Sequence, residues 1–230
     1  MSNKELKRQA WEANMELNRR GLVLYTWGNV SQLDRPRGIF AIKPSGVPYE
    51  ELTADDMVVV DLDNRRVEGR LNPSSDTRTH SHLYRSFESV GGVAHTHSTY
   101  ATAWAQAQQE IPCFGTTHAD YAYGPVPCTA LMSKEQVARD YEQETGVQIT
   151  DAFTKRNPLD TPMVVVAGHA PFTWGKDAAE AVYHAVVLEE IAHMALLTKA
   201  INPAQGPLPQ AVLDKHYQRK HGPNATYGQR

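Results

Sequence analysis

Cysteine and long apolar runs are the features that this chain of 230 residues has least of. Its cysteines are Cys113 and Cys128. They form no Cys-x-x-Cys motif, so we expect reduced thiols and a cytoplasmic protein. No apolar stretch approaches the ~20 residues that are needed to span a bilayer. Residues 1–20 are polar and charged and lack the apolar segment of a signal peptide. We therefore expect no membrane partner.

The chain also lacks an excess of positive charge, because its 23 Lys and Arg residues are outnumbered by 26 Asp and Glu residues, which gives a net charge of −3. Such a balance argues against the basic surface of a nucleic-acid-binding protein. Hydrophobic residues make up 41% of the chain, which is too many for a disordered protein. Single domains extend to roughly 250 residues. Because no repeat or linker divides the chain, we predict one domain over residues 1–230.

Hydrophobic periodicity and turn residues outline the secondary structure. They predict helices over residues 3–20, 78–88, 99–107, 134–145, 177–200 and 208–220. They predict strands over residues 22–26, 38–42, 57–62, 91–97 and 162–167. Trp27 to Ser31 is predicted to be a turn, and the apolar helix 177–200 is expected to be buried. Short connections between neighbouring strands favour a mixed, mainly antiparallel sheet covered by helices, which is an α/β fold class.

Histidine is abundant, with ten residues, and histidine is the commonest metal ligand in proteins. Alternate side chains of a strand share a face, so His95 and His97 would present two imidazoles side by side. His169, which follows Gly168 at a strand end, could supply a third imidazole, and Asp76 could be a displaceable fourth ligand. Three histidines with one open position are typical of a catalytic metal site. The alternative is that these residues are ordinary surface, strand-end and helix-capping residues.

Three short polar loops are candidates for binding an anion: Gly28-Asn29, Ser45-Gly46 and Ser74-Ser75. Backbone amides and hydroxyl groups in such loops can surround a phosphate, and Lys43 precedes one of them. None of the loops matches a P-loop or a dinucleotide-binding motif, so simple turns remain the alternative.

Two candidate proton carriers lie outside these loops. Asp120 belongs to a polar segment with a neighbouring imidazole and phenol, from Thr116 to Tyr121. Tyr227 lies in a glycine-rich tail. Termini are usually disordered unless they dock, so a docked tail could deliver the tyrosine to a neighbouring subunit. The alternative is that Tyr227 only packs against the protein.

Taken together and in order, six segments resemble the sugar-phosphate epimerases of the class II aldolase/adducin-like family. These segments are residues 26–31 (TWGNVS), 42–47 (IKPSGV), 73–77 (PSSDT), 95–98 (HTHS), 115–121 (GTTHADY) and 219–229 (RKHGPNATYGQ). The resemblance implies a single-domain α/β/α sandwich and a homotetramer with four-fold (C4) symmetry and active sites between subunits. It also implies that the tail, about residues 221–230, docks at a subunit interface.

The resemblance further implies roles for individual residues. A divalent metal, zinc with manganese or cobalt as alternatives, would be held by Asp76, His95, His97 and His169. The phosphate of a small sugar substrate would be bound by Gly28, Asn29, Lys43, Ser45, Gly46, Ser74 and Ser75. Asp120 and Tyr227 would be the catalytic acid and base. The implied reaction inverts carbon 4 of L-ribulose 5-phosphate, giving D-xylulose 5-phosphate, by breaking and re-forming the C3–C4 bond.

Two other functions remain open. A class II sugar-phosphate aldolase would perform the cleavage alone, and an adducin-like interaction module would perform no chemistry. The second is disfavoured because such a module has no need to keep three histidines. The chain departs from the family pattern at Arg78, Tyr100, Ala170 and Thr226. Arg78 is the departure nearest the site, where it could add a phosphate contact or change which sugar fits.

Overall fold

Seven strands form one sheet in the computed structural model, which describes residues 1–226 and Gly228. The strands are β1 (Asn29–Asp34), β2 (Ile39–Ile42), β3 (Val58–Asp61), β4 (Arg66–Glu68), β5 (Gly92–His95), β6 (Met163–Val165) and β7 (Pro171–Gly175). Their order is β4-β3-β2-β1-β5-β7-β6, and every ladder between them is antiparallel. An isolated parallel bridge joins Cys128 to Val165. The candidate catalytic residue Tyr227 lies outside the described residues.

Helices cover both faces of this sheet. They are α1 (Asn3–Arg19), α2 (Thr77–Ser86), α3 (Thr99–Gln106), α4 (Thr116–Ala119), α5 (Lys134–Ala152), α6 (Ala178–Ile201) and α7 (Gln210–His221). Leu6 and Leu17 of α1 share a buried cluster with Val182 of α6 and one face of the sheet. Leu83 of α2 and Ile149 of α5 share another cluster with the opposite face. The predicted α/β/α sandwich with a mainly antiparallel sheet is therefore confirmed.

The strand register brings candidate site residues next to one another. Asn29 at the start of β1 pairs with His95 at the end of β5, and His95 pairs with Phe172 of β7. These residues form a row across three neighbouring strands. Because strand β5 ends at His95, the prediction that His97 shares the same strand is wrong. His97 lies in the segment that leads into α3.

The first strand was also predicted wrongly. Residues 22–26 form no strand in the described structure, since the chain reverses there, with Trp27 N–H bonded to the Leu24 carbonyl. Asn29 begins β1 instead, although Asn and Ser are common turn residues. Pairing with both β2 and β5 overrides that local preference.

Other elements also differ from the prediction, and β4 and α4 are two that were not predicted. Strand β7, which begins with a proline, was not predicted at all. Helix α5 runs to Ala152, well past the predicted end, and is kinked at Asp140. Helix α6 is buried on one side only, because Tyr183 and Ile201 are 50% and 85% exposed. By length and composition alone this helix could cross a membrane, contrary to the expectation from the sequence that no stretch is long enough. Many core helices of globular proteins meet the same criterion, and the inner side of this one packs on the sheet.

Candidate metal centre and substrate cavity

A cavity of about 520 Å³ gathers all the predicted metal and phosphate residues. Its lining comprises Thr26, Trp27, Gly28, Asn29, Lys43, Pro44, Ser45, Gly46, Ser74, Ser75, Asp76, His95, His97 and His169. A larger cavity of about 580 Å³ lies between α1 and α6. Its charged lining is engaged in surface ion pairs such as Arg20–Glu16, and it contains none of the histidines. The histidine-lined cavity is therefore the candidate site.

Three imidazoles meet in this cavity. One ring nitrogen from each of His95, His97 and His169 lies within 4.8 Å of the others. The Nε2 atoms of His95 and His97 are 3.1 Å apart. Two nitrogens that share a tetrahedral ion at 2.0–2.1 Å are separated by about 3.3 Å. The cluster is therefore consistent with a divalent metal site.

The protonation of the imidazoles suits the same role. The Nδ1 atom of His95 lies 2.9 Å from the Pro171 carbonyl and donates to it, which leaves Nε2 as a bare lone pair. Burial, followed by the neighbouring His95, lowers the pKa of His97 to about 4. Burial and His95 also lower the pKa of His169 to about 3, against the opposing charge of Asp76. Neutral imidazoles are the form that binds metals.

Asp76 lies at the rim of this cluster. It occupies the N-cap position of α2 but makes no capping hydrogen bond. Its Oδ2 atom instead accepts a hydrogen bond of 2.7 Å from the Asn29 amide. Burial favours the neutral acid, yet the neighbouring imidazoles, first His95 and then His80, keep the pKa of Asp76 below its ordinary value. A carboxylate thus stands beside the histidines.

The polar loops are tied to one another. Ser74 N–H donates to the Lys43 carbonyl at 3.0 Å, and Asn29 donates to the Ser74 hydroxyl at 3.1 Å. The Lys43 ammonium donates to the Val47 carbonyl at 2.7 Å, and burial lowers the pKa of Lys43 to about 8. The buried Asn29 Oδ1 has no partner among the described residues. The cavity therefore offers a lysine and an unpaired acceptor to a ligand.

Glycine is required at position 28. Its φ of +73° lies in the left-handed region. A Cβ at Gly28 would stand 2.7 Å from the His95 carbonyl and 2.8 Å from Val23. The loop at residues 28–29 can thus pack this closely against the end of β5 only because Gly28 has no side chain.

Asp120 stands apart from this cavity, since it does not occur among the described lining residues. It follows α4 and accepts hydrogen bonds from Arg219 at 2.8 Å and from His216 at 3.0 Å. Burial opposes ionisation, but the bonds from Arg219 and His216 and the charge of Lys220 keep the pKa of Asp120 below its ordinary value. Asp120 is therefore ionised at neutral pH.

The sequence suggested His216 only as a weak site candidate, and it did not predict the contact of α7 with Asp120. His216, Arg219 and Lys220 lie three and four residues apart on α7, so one helix face carries them all, a spacing that could have indicated the contact with Asp120. For Arg78 the sequence left open a phosphate contact or a change in which sugar fits. Instead, its guanidinium group bonds to the carboxylate of Asp140, and it is absent from the described lining of the cavity.

Comparisons with known proteins agree with this picture. The chain is 57% identical over 226 residues to L-ribulose-5-phosphate 4-epimerase UlaF of Salmonella paratyphi B, covering 98% of this chain and 99% of the relative. It is 56% identical to the protein of the same name from Salmonella typhi, with the same coverage. Among solved structures, an L-fuculose 1-phosphate aldolase superposes with a TM-score of 0.83 at 23% identity, covering 95% of this chain and 97% of that one. This last likeness concerns the fold.

The family model described as "Class II Aldolase and Adducin N-terminal domain" matches residues 8–196. That range contains the whole sheet and every residue of the histidine cluster. The chain therefore belongs to the class II aldolase and adducin family.

Proposed function

We propose that this protein is a metal-dependent epimerase that inverts carbon 4 of L-ribulose 5-phosphate to give D-xylulose 5-phosphate. The observation that carries the proposal is the single cavity in which three imidazoles stand beside Lys43 and the serine- and glycine-rich loops. The reaction named for relatives that are 56–57% identical along nearly the whole chain supports the choice of substrate.

His95, His97 and His169 would hold the divalent ion, with Asp76 as a displaceable further ligand. Zinc is our first choice, and manganese and cobalt also bind imidazole sites. When bound, the ion would supply Lewis-acid stabilisation of negative charge on the substrate's ketone and hydroxyl oxygens.

The substrate itself dictates the type of reaction. The hydrogen on carbon 4 is not adjacent to the carbonyl at carbon 2, so a base cannot simply remove it. Breaking the C3–C4 bond leaves its electron pair on carbon 3, where it is delocalised into the carbonyl as an enediolate. The carbon 4 hydroxyl group loses its proton and becomes an aldehyde. Rotation of this aldehyde and renewed attack by carbon 3 restore the bond with the opposite configuration.

The protein must hold both fragments during that rotation. The Lys43 ammonium and the loops at residues 45–46 and 74–75 would retain the phosphate of the aldehyde fragment. The unpaired acceptor of Asn29 would receive a hydrogen bond from a substrate hydroxyl. Retention of the phosphate keeps the fragment in the cavity while its carbonyl group turns.

Two proton carriers are needed, because the carbon 4 oxygen lies on different sides before and after rotation. We assign these roles to Asp120, an ionised base, and Tyr227, a phenol donor. Since the described lining of the cavity lacks Asp120, we propose that both act on the cavity of a neighbouring subunit in a C4 homotetramer. Docking of residues 221–230 at that interface and a cytoplasmic location belong to the same proposal.

An assay with L-ribulose 5-phosphate tests the function. We expect the purified protein to form D-xylulose 5-phosphate, to lose activity on chelation and to regain it when zinc, manganese or cobalt is added. Asp120→Asn and Tyr227→Phe should each lower kcat by about 100-fold or more. Asp214→Asn, a matched change on α7, should leave kcat unchanged.

Trapping free aldehyde separates the alternatives. Net release of glycolaldehyde phosphate would indicate an aldolase instead of an epimerase. A folded protein that stays inactive with every one of these metals would indicate the non-catalytic interaction module. Nearly unchanged epimerisation by the Asp120 and Tyr227 variants would refute their assigned roles but not the reaction.

A further inference from the structure

His169 is held differently from His95. The ring of His95 bonds to the Pro171 carbonyl and stacks on Phe172 at a centroid distance of 4.2 Å. His169 lies on the tight turn between β6 and β7, after Gly168 with its φ of +70°. Neither of its ring nitrogens makes a hydrogen bond to a described residue, and its Nδ1 atom is buried without a partner.

This lack matters for a metal ligand. Histidines that bind metals almost always donate their second ring N–H to a carboxylate, carbonyl or water, which fixes the orientation of the ring. One nitrogen of His169 can face the ion, but the other has no protein acceptor within the described part of the chain. The orientation of this imidazole must therefore depend on the rings packed around it.

Outside the histidine cluster, Tyr141 and Phe172 are the described rings in contact with His169. The Tyr141 ring lies 5.9 Å from that of His169 at an angle of 56°, and the Phe172 ring lies 6.2 Å away at 70°. Phe172 belongs to the sheet and also supports His95. Tyr141 comes from α5, on a different element, and is 37% exposed.

A break in α5 puts Tyr141 there. Asp140 has extended backbone angles, with φ −170° and ψ 96°, so α5 consists of two segments that meet at this residue. The Oδ1 atom of Asp140 accepts the Gln143 N–H at 3.2 Å, as an N-cap does for the second segment. Tyr141 is therefore the first residue of that segment.

The same carboxylate is anchored to the other side of the site. Oδ2 of Asp140 bonds to the guanidinium group of Arg78, which lies on α2 two residues after Asp76. Next to it, the Thr79 hydroxyl donates to the Glu142 carbonyl at 2.6 Å. These bonds join the helix that begins at Asp76 to the segment that presents Tyr141.

We propose that Tyr141 is a positioning residue that keeps His169 in its metal-binding orientation, and that the Arg78–Asp140 pair clamps Tyr141 in place. This inference rests on the proposed metal site. It gives Arg78 a function in metal binding through the fold instead of a contact with phosphate.

Metal affinity is the direct test. Zinc binding would be measured on the full-length metal-free protein by competition with a chromophoric chelator, and cobalt binding by visible absorption. Tyr141→Ala should lower the affinity about 10-fold, as loss of outer-sphere partners does. Tyr141→Phe keeps the ring and should stay near wild type. Arg78→Met should lower the affinity by up to about fivefold, in keeping with a partly exposed ion pair.

Arg85→Met is the matched control, because Arg85 also lies on α2 and pairs with an exposed carboxylate, Asp63, away from the cavity. The zinc affinity of the Arg85→Met variant should equal that of the wild-type protein. Tyr141→Leu covers the case in which the alanine variant folds poorly. Weaker cobalt binding at an unchanged Tm of the metal-free protein would support the positioning role.

The outcomes distinguish this inference from the proposed function. Wild-type affinity and an unchanged cobalt spectrum in both Tyr141→Ala and Tyr141→Leu would overturn it while leaving the metal site intact. Failure of the wild-type protein to bind any metal would overturn the proposed function, and this inference with it.

Discussion

Replacement of Asn14 by alanine should destabilise the protein strongly, because Asn14 completes the start of β1. It is fully buried on α1. Its side chain donates to the Val30 carbonyl and accepts from the Val30 N–H, both at 2.9 Å. Pairing between β1 and β2 begins only at Ser31, opposite Ile42. Val30 faces Ala94 of β5 on one side, and on the β2 side the asparagine takes the place of a strand partner.

The expected magnitude follows from those two bonds. Each buried backbone group left without a partner costs about 1–3 kcal/mol. The better helix propensity of alanine offsets roughly 0.5 kcal/mol of this loss in stability. We therefore expect Asn14→Ala to lower the free energy of unfolding by about 3 kcal/mol, a large share of the ~5–15 kcal/mol that stabilises a typical domain.

Urea unfolding of the metal-free protein, followed by circular dichroism, measures this quantity. Two protein concentrations would separate subunit dissociation from unfolding. Asn18→Ala is the control, since Asn18 lies on the same helix and makes no side-chain hydrogen bond within the described structure. If the two variants differed by less than about 1 kcal/mol, the role of Asn14 as a substitute strand partner would be refuted.

Three further predictions concern other polar groups. Lys43→Met should raise KM for the sugar phosphate by about 10-fold. Because burial lowers the pKa of Lys43 to about 8, wild-type kcat/KM should fall as the pH rises through that value, and the variant should lack this dependence. Ser31→Ala removes the 2.7 Å partner of the buried His80 Nδ1 and should cost about 2 kcal/mol in urea unfolding. The Glu189 carboxylate accepts hydrogen bonds from two backbone N–H groups of α3, at 2.8 and 3.0 Å. Glu189→Gln replaces it with a neutral amide and should lower the free energy of unfolding by about 1 kcal/mol. An unchanged KM or unchanged urea midpoints would contradict these expectations.

The pairing of His95 with His97 could be predicted because its signal is local. His95 and His97 are two residues apart, and His169 follows a strand, so spacing alone suggested that they meet. The structure brings them together even though His97 lies beyond the end of its strand. The sheet order, with β7 beside β5, brings the His169 turn to the same place, and no local pattern specifies that order.

Elements that depend on distant partners could not be predicted. Strand β1 begins with Asn29, a turn residue by propensity, and forms because Asn14, β2 and β5 supply its hydrogen bonds. At the break in α5, Asp140 bonds to Arg78, which lies 62 residues earlier in the chain. Long-range contacts of this kind have no signature in a single sequence, and they were missed at both positions.

The two halves of the candidate site are held by separate devices, and this bears on how a complete site forms. Asn29 and His95 are fixed by the register of the sheet, whereas Asp120 is fixed by Arg219 and His216 of α7. In the described residues, no hydrogen bond joins one half to the other. If Asp120 acts on the cavity as proposed, contacts other than these local ones must bring the two halves together, and the packing of one subunit against another would do so. Under the proposed function, assembly of the subunits, and not closure of a loop within one of them, would then complete the catalytic site.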